Sequence, residues 1–326
     1  MTGSLPDVSI VIPVYNQVFF TRVCLASLER EVECAGKIVV DNGSTDETPD
    51  LLRAWASSGH DRRYLRFDEN LGFARSCNAG ADAAHSEVIV FLNNDTFVLE
   101  GWLPNLLKPF GDASVKVTGS RLLYPSGHLQ HAGVAFNEIG PFHAFMGLPG
   151  NLPFAQERRD YQVVTGASMA IRADEFKALG GFDTSYLNSF EDVDLCLRVG
   201  QRGGRVVYVP DSVAYHFESM TEGRLDETDR RNYEHFMARW GGHYELDLAR
   251  IEQEAVAAGN DLTHNRVESR RESIDRQRAS HGELGQLRDE VQRLLAENAR
   301  LRHIAQMRSV RTAVWARNVF RRVVPS

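Results

Sequence analysis

Val88-Ile89-Val90-Phe91-Leu92-Asn93-Asn94-Asp95-Thr96 is the stretch that decides the fold of this chain. An apolar run rich in β-branched residues stops abruptly at Asn-Asn-Asp. Such a run predicts a buried strand that carries polar side chains at its carboxyl end. In open α/β sheets, ligands sit beyond those carboxyl ends. A short acidic group there can hold a divalent cation, which in turn can hold a diphosphate. The same residues also suit a plain Asn/Asp turn after a strand.

Working outward, similar runs recur. Val8 to Ile12 ends at Pro13, Lys37 to Val40 ends at Asp41-Asn42-Gly43-Ser44, and Tyr64 to Phe67 gives a third. Helical segments are expected between them: Phe19 to Glu31, a helix opened by a Ser44/Glu47 capping box and running to about Ala56, and Gly72 to Ala84. The last is rich in small residues, as a helix packed close to a ligand would be. Strands alternating with helices predict an α/β doubly wound sheet. Further on, Trp102 to Phe110 is expected as a helix and Ser114 to Thr118 as a strand. Leu129 to Gln156 has little charge and much Gly, Pro, Phe and His, which predicts a long loop, functional or mobile. His128 and His131 have metal-like spacing there, but a surface or acceptor-side role is the expectation. Val163 to Ile171 is expected as a strand whose Gly166 is closely approached. Arg205 to Val209 is expected as a strand stopped by Pro210.

The strand ends carry the candidate chemistry. Tyr15, Asn16, Asp41, Asn42, Ser44 and Asp46 follow the first two strands, and an Asp after strand two can accept hydrogen bonds from a base or ribose. Asn70-Leu71-Gly72-Phe73-Ala74-Arg75 offers a turn, a close backbone approach and a cation near phosphate. Phe190-Glu191-Asp192-Val193-Asp194-Leu195 opens a helix to about Gln201. Carboxylates in a first turn suit the helix dipole; one of them, Glu191 or Asp192, can equally serve as a general base facing a cleft. His216, taken alone, suits a satisfied structural histidine.

The chain is long enough for one large or two small domains. Its 326 residues are 43% apolar and 25% charged, with a net charge of −7, which argues against a nucleic-acid partner. The four cysteines, Cys24, Cys34, Cys77 and Cys196, are scattered, as in a reduced cytosolic protein. No Lys or Arg precedes Arg22, so no signal peptide is expected, and no apolar run reaches a membrane span.

As an ordered set, the motifs resemble those of family 2 glycosyltransferases: Val-Ser-Ile-Val-Ile-Pro-Val-Tyr-Asn at 8–16, Val-Asp-Asn-Gly-Ser-Thr-Asp at 40–46, Asn-Leu-Gly-Phe-Ala at 70–74, Leu-Asn-Asn-Asp-Thr at 92–96, Phe-Glu-Asp-Val-Asp-Leu at 190–195 and the downstream His216. The resemblance spans about residues 5–243. It implies a GT-A fold, that of the nucleotide-diphospho-sugar transferases, with a mixed sheet, an inverting mechanism, a nucleotide-diphosphate sugar donor and Mg²⁺ or Mn²⁺. Carried over, Pro13, Tyr15, Asp41 and Asn42, with Asn16 beside them, would line the base and ribose site, and Asn70, Gly72 and Arg75 would lie near the ribose and phosphates. Asp95 would bind metal with Asn93 and Asn94 beside it and His216 completing the set. Asp192 would be the base, supported by Glu191. Many relatives carry Asp-x-Asp where this chain has Asn93 first, and a neutral amide is a weaker ligand. The Asn-Asn-Asp form resembles the rhamnosyltransferase-like branch that builds bacterial surface polysaccharides. The implied acceptor is a glycan or a polyprenyl-linked glycan. A catalytically silent glycan-binding scaffold on the same fold and a nucleotidyltransferase are the alternatives.

The catalytic domain is expected over 1–244 and a charged helical linker over 245–283. Over 284–303 a heptad places Leu284, Val291 and Asn298 at a, and Leu287, Leu294 and Leu301 at d, which predicts a homodimeric coiled coil. After Glu297 no acidic residue follows, and Arg300 to Arg322 supply only positive charge. The basic amphipathic 304–326 segment suits an anionic membrane surface, hence a cytoplasmic protein peripheral to the inner face.

Overall fold

The computed structural model describes residues 6–32, 35–217, 226–260 and 262. Cys34, the coiled coil over 284–303 and the basic tail over 304–326 lie outside the described residues. The described residues belong to one compact unit, Met1–Arg266.

In chain order this unit holds β1 (Val8–Val14), α1 (Val18–Glu31), β2 (Gly36–Asn42), α2 (Thr48–Ala56), β3 (Arg62–Phe67), α3 (Phe73–Asp82), β4 (Val88–Leu92), β5 (Thr96–Val98), α4 (Trp102–Leu107) and β6 (Val115–Leu123). There follow β7 (Leu129–His131), β8 (Val134–Asn137), β9 (Gly140–His143), β10 (Arg159–Tyr161), β11 (Ser168–Arg172), α5 (Ala173–Ala178), α6 (Glu191–Gln201), β12 (Arg205–His216), α7 (Asp226–Trp240) and α8 (Leu248–Ala257). The main sheet has the order β10-β12-β6-β11-β4-β1-β2-β3, with β5 on β12 and β7 on β6. From β4 to β3 the strands are parallel, while β11 is antiparallel to both β4 and β6.

Alternation sorts the central strands into two cores. Val11, Ile38, Val40, Ile89 and Phe91 face α3, α6, α7 and α8. Ile10, Ile12, Val39, Val88, Val90 and Leu92 face α1, α2 and α4. Both faces are covered, so these strands read as continuous apolar runs. The small residues of α3 let it press on this sheet: a Cβ added at Gly80 would stand 2.3 Å from Val11 Cγ1 and 3.1 Å from Val40 Cγ2. The close approach expected toward a ligand is therefore made toward the strands.

Several expectations are corrected. β1 continues through Pro13 to Val14, because pairing with β4 ends at Val11 and the missing N–H deprives no β4 partner. The Ser44/Glu47 capping box does not form. Ser44 Oγ instead accepts the N–H of Asn16 at 2.8 Å, and the Thr48 N–H is taken by Asp46 Oδ1 at 3.0 Å. Leu129 to Gln156 is not a loop: it holds β7, the β8–β9 hairpin and a short 3₁₀ turn over Pro153–Gln156. Its low charge reflects burial, with Val134, Phe136, Phe145 and Phe154 all in the core. β11 begins only at Ser168, and β12 passes Pro210 to His216, with its register against β6 shifting between Val209 and Val213 to accommodate the ring. Residues 245–260, expected within the linker, pack into this unit: Ile251 and Ala255 join its core, and Asp247 Oδ1 accepts the Phe136 N–H at 2.8 Å.

Candidate functional site

The sheet reverses direction between β4 and β11, so the carboxyl end of β4 lies beside the amino end of β11. Asn93 N–H donates to Ala167 O at 3.0 Å. Over this seam opens a cavity of about 570 Å³. Pro13, Tyr15, Asn42, Asn70, Asn93, Asn94, Asp95, Glu191, Asp192 and His216 all line it. Residues from both ends of a 200-residue span thus meet in one place.

Other expected site residues are placed around it and not in its lining. Asp41 is fully buried: its carboxylate accepts Ser44 N–H at 2.8 Å and Tyr64 O–H at 2.9 Å, and pairs with Arg66. The Asp41 hydrogen bond and burial raise the Tyr64 phenol, with burial the larger cause. Asn16, at φ 55°, accepts the N–H of Thr45 at 2.7 Å and ties the loop after β1 to the loop after β2. Gly72, at φ 87°, precedes α3, and Arg75 is exposed on that helix.

Within the lining, Asn42 Nδ2 donates to Asn70 Oδ1 at 2.6 Å and Asn42 Oδ1 accepts Leu71 N–H at 2.8 Å. The first N–H of α3, on Phe73, is capped from far along the chain by Asn188 Oδ1 at 2.9 Å. Asn188 and Phe190 both adopt left-handed backbone, at φ 61° and 70°. A bulky residue held there is strained, and Phe190 stands two residues before Asp192. Asp192 Oδ2 accepts the N–H of Gly166 at 2.7 Å, and Oδ1 accepts Val193 N–H at 2.8 Å. A Cβ at Gly166 would stand 3.2 Å from Asp192 Cβ, which is the close approach the sequence suggested at that glycine.

Asp95 and His216 form the second centre. His216 Nδ1 lies 2.6 Å from Gln130 Oε1, an acceptor, so the ring proton sits on Nδ1. That directs the bare Nε2 toward Asp95 Oδ1 at 3.0 Å, with Asn93 Nδ2 at 3.3 Å. An imidazole lone pair facing a carboxylate needs a proton or a cation between them. No group of three His, Cys, Asp or Glu side chains that could hold a metal occurs among the described residues. Asp95 and His216 could hold Mg²⁺ or Mn²⁺ with positions left for phosphate oxygens and water, and Gln130 fixes the His216 ring. His128 and His131 make no such pair: His128 Nδ1 is 3.1 Å from Ser126 Oγ, while His131, for which a surface or acceptor-side role was the expectation, is fully buried and so not at the surface. Burial, then the charges of His143 and His216, hold its imidazole well below the usual range.

Gly166, Gln130 and Asn188 escape motif reading because they act on other site residues; only the glycine carried a local signal. The far wall adds Phe142, Met146 and Leu187, which are apolar and exposed. Among the described residues no helix is long and apolar enough to cross a membrane.

Comparisons with known proteins bear on the family and the fold. O-antigen biosynthesis protein RfbC of Myxococcus xanthus is 31% identical over 240 residues, covering 70% of this chain but only 18% of that protein. The N-acetylglucosaminyl-diphospho-decaprenol L-rhamnosyltransferase of Mycobacterium tuberculosis is 28% identical over 253 residues, 69% of this chain and 79% of that enzyme. The crystal structure of GalNAc-T7 with UDP, GalNAc and Mn²⁺ aligns with a TM-score of 0.58 at 15% identity, over 73% of this chain and 48% of that one, and so shares the GT-A fold. The model of the family described as "Glycosyl transferase family 2" matches residues 9–171, from β1 into β11, and with the motifs already standing at those strand ends, the chain belongs to that family.

Proposed function

We propose that the chain is an inverting glycosyltransferase that moves a sugar from a nucleotide-diphosphate donor to a hydroxyl of a glycan or lipid-linked glycan acceptor. The observation that carries this reading is the single cavity shared by Asp192 and the Asp95–His216 pair. The names of the relatives support cell-surface polysaccharide assembly as the setting and a deoxyhexose as a candidate sugar.

The nucleotide is assigned to the ends of β1 and β2, against Pro13, Tyr15, Asn42 and Asn70. Asp41, Asn16 and Gly72 hold those walls in place from behind. Asp95 and His216 would hold the divalent ion on the diphosphate; when bound, it stabilises the charge growing on the leaving phosphate as a Lewis acid. Asp192 takes the proton of the acceptor hydroxyl as that oxygen attacks the anomeric carbon from the face opposite the leaving group. The Gly166 and Val193 N–H groups fix the direction of its carboxylate, and each of its oxygens keeps a lone pair for the incoming proton. Glu191, buried beside it, supports the helix start.

Calorimetry with a panel of nucleotide sugars, with and without Mn²⁺ or Mg²⁺, tests the reading. Metal-dependent binding is expected in the wild type and its loss in Asp95→Ala. Binding that is indifferent both to the ion and to Asp95→Ala would remove the proposed centre. Hydrolysis of the donor without acceptor separates an enzyme from a silent scaffold.

A further inference from the structure

Asn188 is an exposed residue of the cavity wall, and the direction of its amide is fixed by its partner. Its Oδ1 accepts the N–H of Phe73, the first of α3, at 2.9 Å. A backbone N–H only donates, so the oxygen is the atom turned to the helix and the nitrogen is turned away from it. That nitrogen carries two N–H groups and makes no hydrogen bond among the described residues.

The backbone on both sides is held to keep the amide in place. Asn232, buried on α7, accepts the Leu187 N–H at 3.2 Å and donates to Leu187 O at 2.9 Å and to Ser189 Oγ at 2.7 Å. Asn188 itself is left-handed, which Asn tolerates better than most residues but which still costs energy. Helices are usually capped by the residue just before them. Here that residue is Gly72, and the first N–H is taken by a side chain 115 residues away.

The surroundings of Phe73 place the amide relative to the chemistry. A Cβ added at Gly166 would stand 3.5 Å from Phe73 Cζ and 3.2 Å from Asp192 Cβ, so the Phe73 ring reaches the glycine that holds Asp192. On its other side, Asn70 Oδ1 accepts the Gly72 N–H at 3.0 Å, and Asn70 belongs to the walls assigned to the nucleotide. Asn188 thus stands between those walls and Asp192, in the cavity that all of them line. A sugar in transfer has to lie there, with its anomeric carbon between the leaving phosphate and the attacking oxygen. A few placed polar groups are what fix the orientation of a ligand in such a cavity.

We propose that Asn188 binds the donor sugar, giving an amide N–H to one of its hydroxyl oxygens, while the Phe73 N–H fixes the direction of the amide. This role rests on the glycosyltransferase reading and adds to it the residue that tells a nucleotide sugar from the bare nucleotide.

The probes are UDP, GDP and dTDP, each paired with its sugar derivative, UDP-glucose, GDP-mannose and dTDP-rhamnose, and titrated into the full chain with Mg²⁺. Two measurements are made. In the wild type labelled with ¹⁵N-asparagine, the Asn188 side-chain signals are identified by their loss in Asn188→Asp, which keeps an acceptor for the Phe73 N–H. The nucleotide sugar should move those signals further than its nucleoside diphosphate does. In Asn188→Gly, which suits left-handed backbone and removes the amide, calorimetry should find the affinity for the nucleotide sugar lowered about tenfold relative to that for the nucleoside diphosphate, the value of one hydrogen bond. A residue that only capped α3 would disturb the adjoining nucleotide wall and weaken both ligands alike. Equal weakening, no weakening, or side-chain signals that the sugar leaves unmoved each overturn the proposal; if the Gly variant does not fold, the wild-type signals decide alone. A wild type that binds none of the six probes removes the transferase reading and this role with it, whereas intact binding with unmoved Asn188 signals sinks only this role.

Discussion

Asp192 and Asp194 stand two residues apart at the start of α6 and point to different partners. Asp192 turns to the cavity and Gly166. Asp194 is fully buried, with Arg198 Nε at 2.7 Å, Trp240 Nε1 at 2.9 Å and an Arg239 nitrogen at 3.1 Å. Their substitutions should therefore fail in different assays. Asp192→Asn should lose about 10²–10⁴-fold in turnover while calorimetry finds donor binding intact; a wild-type rate would reject it as the base. Asp194→Ala strands a buried guanidinium and an indole N–H, and urea unfolding should show a loss of roughly 3–5 kcal/mol. The sequence supplied three acidic residues in one helical turn, all equally suited to its dipole. Which of them meets solvent-facing chemistry and which meets arginine depends on what packs against the helix, and local pattern does not hold that information. His216 shows the same limit: its role is defined by Gln130 and Asp95, each far off along the chain.

At the scale of elements, strands buried on both faces were legible because they leave unbroken apolar runs, and α3 was legible from its small residues. The stretch from 129 to 156 was not. Its strands are three or four residues long, too short for a period to emerge, and its Gly and Pro residues imitate a loop. β12 was cut short for a related reason, since a proline in a shifted register looks the same as a proline that ends a strand. The packing of α3 is the feature most open to test. Gly80→Val puts atoms where Val11 and Val40 already are, and overpacking of this kind costs roughly 1–3 kcal/mol. A lower denaturation midpoint with an unchanged m-value is expected, and a midpoint equal to wild type would mean that the helix can move off the sheet.

For the whole molecule, composition and strand order fixed the class, and the ordered motifs fixed the family. The mixed topology was expected only through the family resemblance and not from the residue pattern, because only tertiary pairing decides that β11 lies antiparallel between β4 and β6. The heptad over 284–303 belongs to this scale as well, and we propose that it pairs two copies of the chain. A protein ending at residue 283 should then sediment as a single copy where the full chain sediments as a pair; equal association states would remove the proposal.

The seam between β4 and β11 carries a further consequence. Ser168 stands opposite Leu92, and the rung beyond it joins Asn93 to Ala167. One residue further on each side lie Asn94 and Gly166, the latter donating its N–H to Asp192. If Asp95 and His216 hold a cation and Asp192 is the base, the span between them is set like the gap between two teeth of a zip, by how the rows are meshed. Slipping the mesh by a single tooth would turn the inward row outward, so the same pairing that closes the sheet also calibrates the reaction distance.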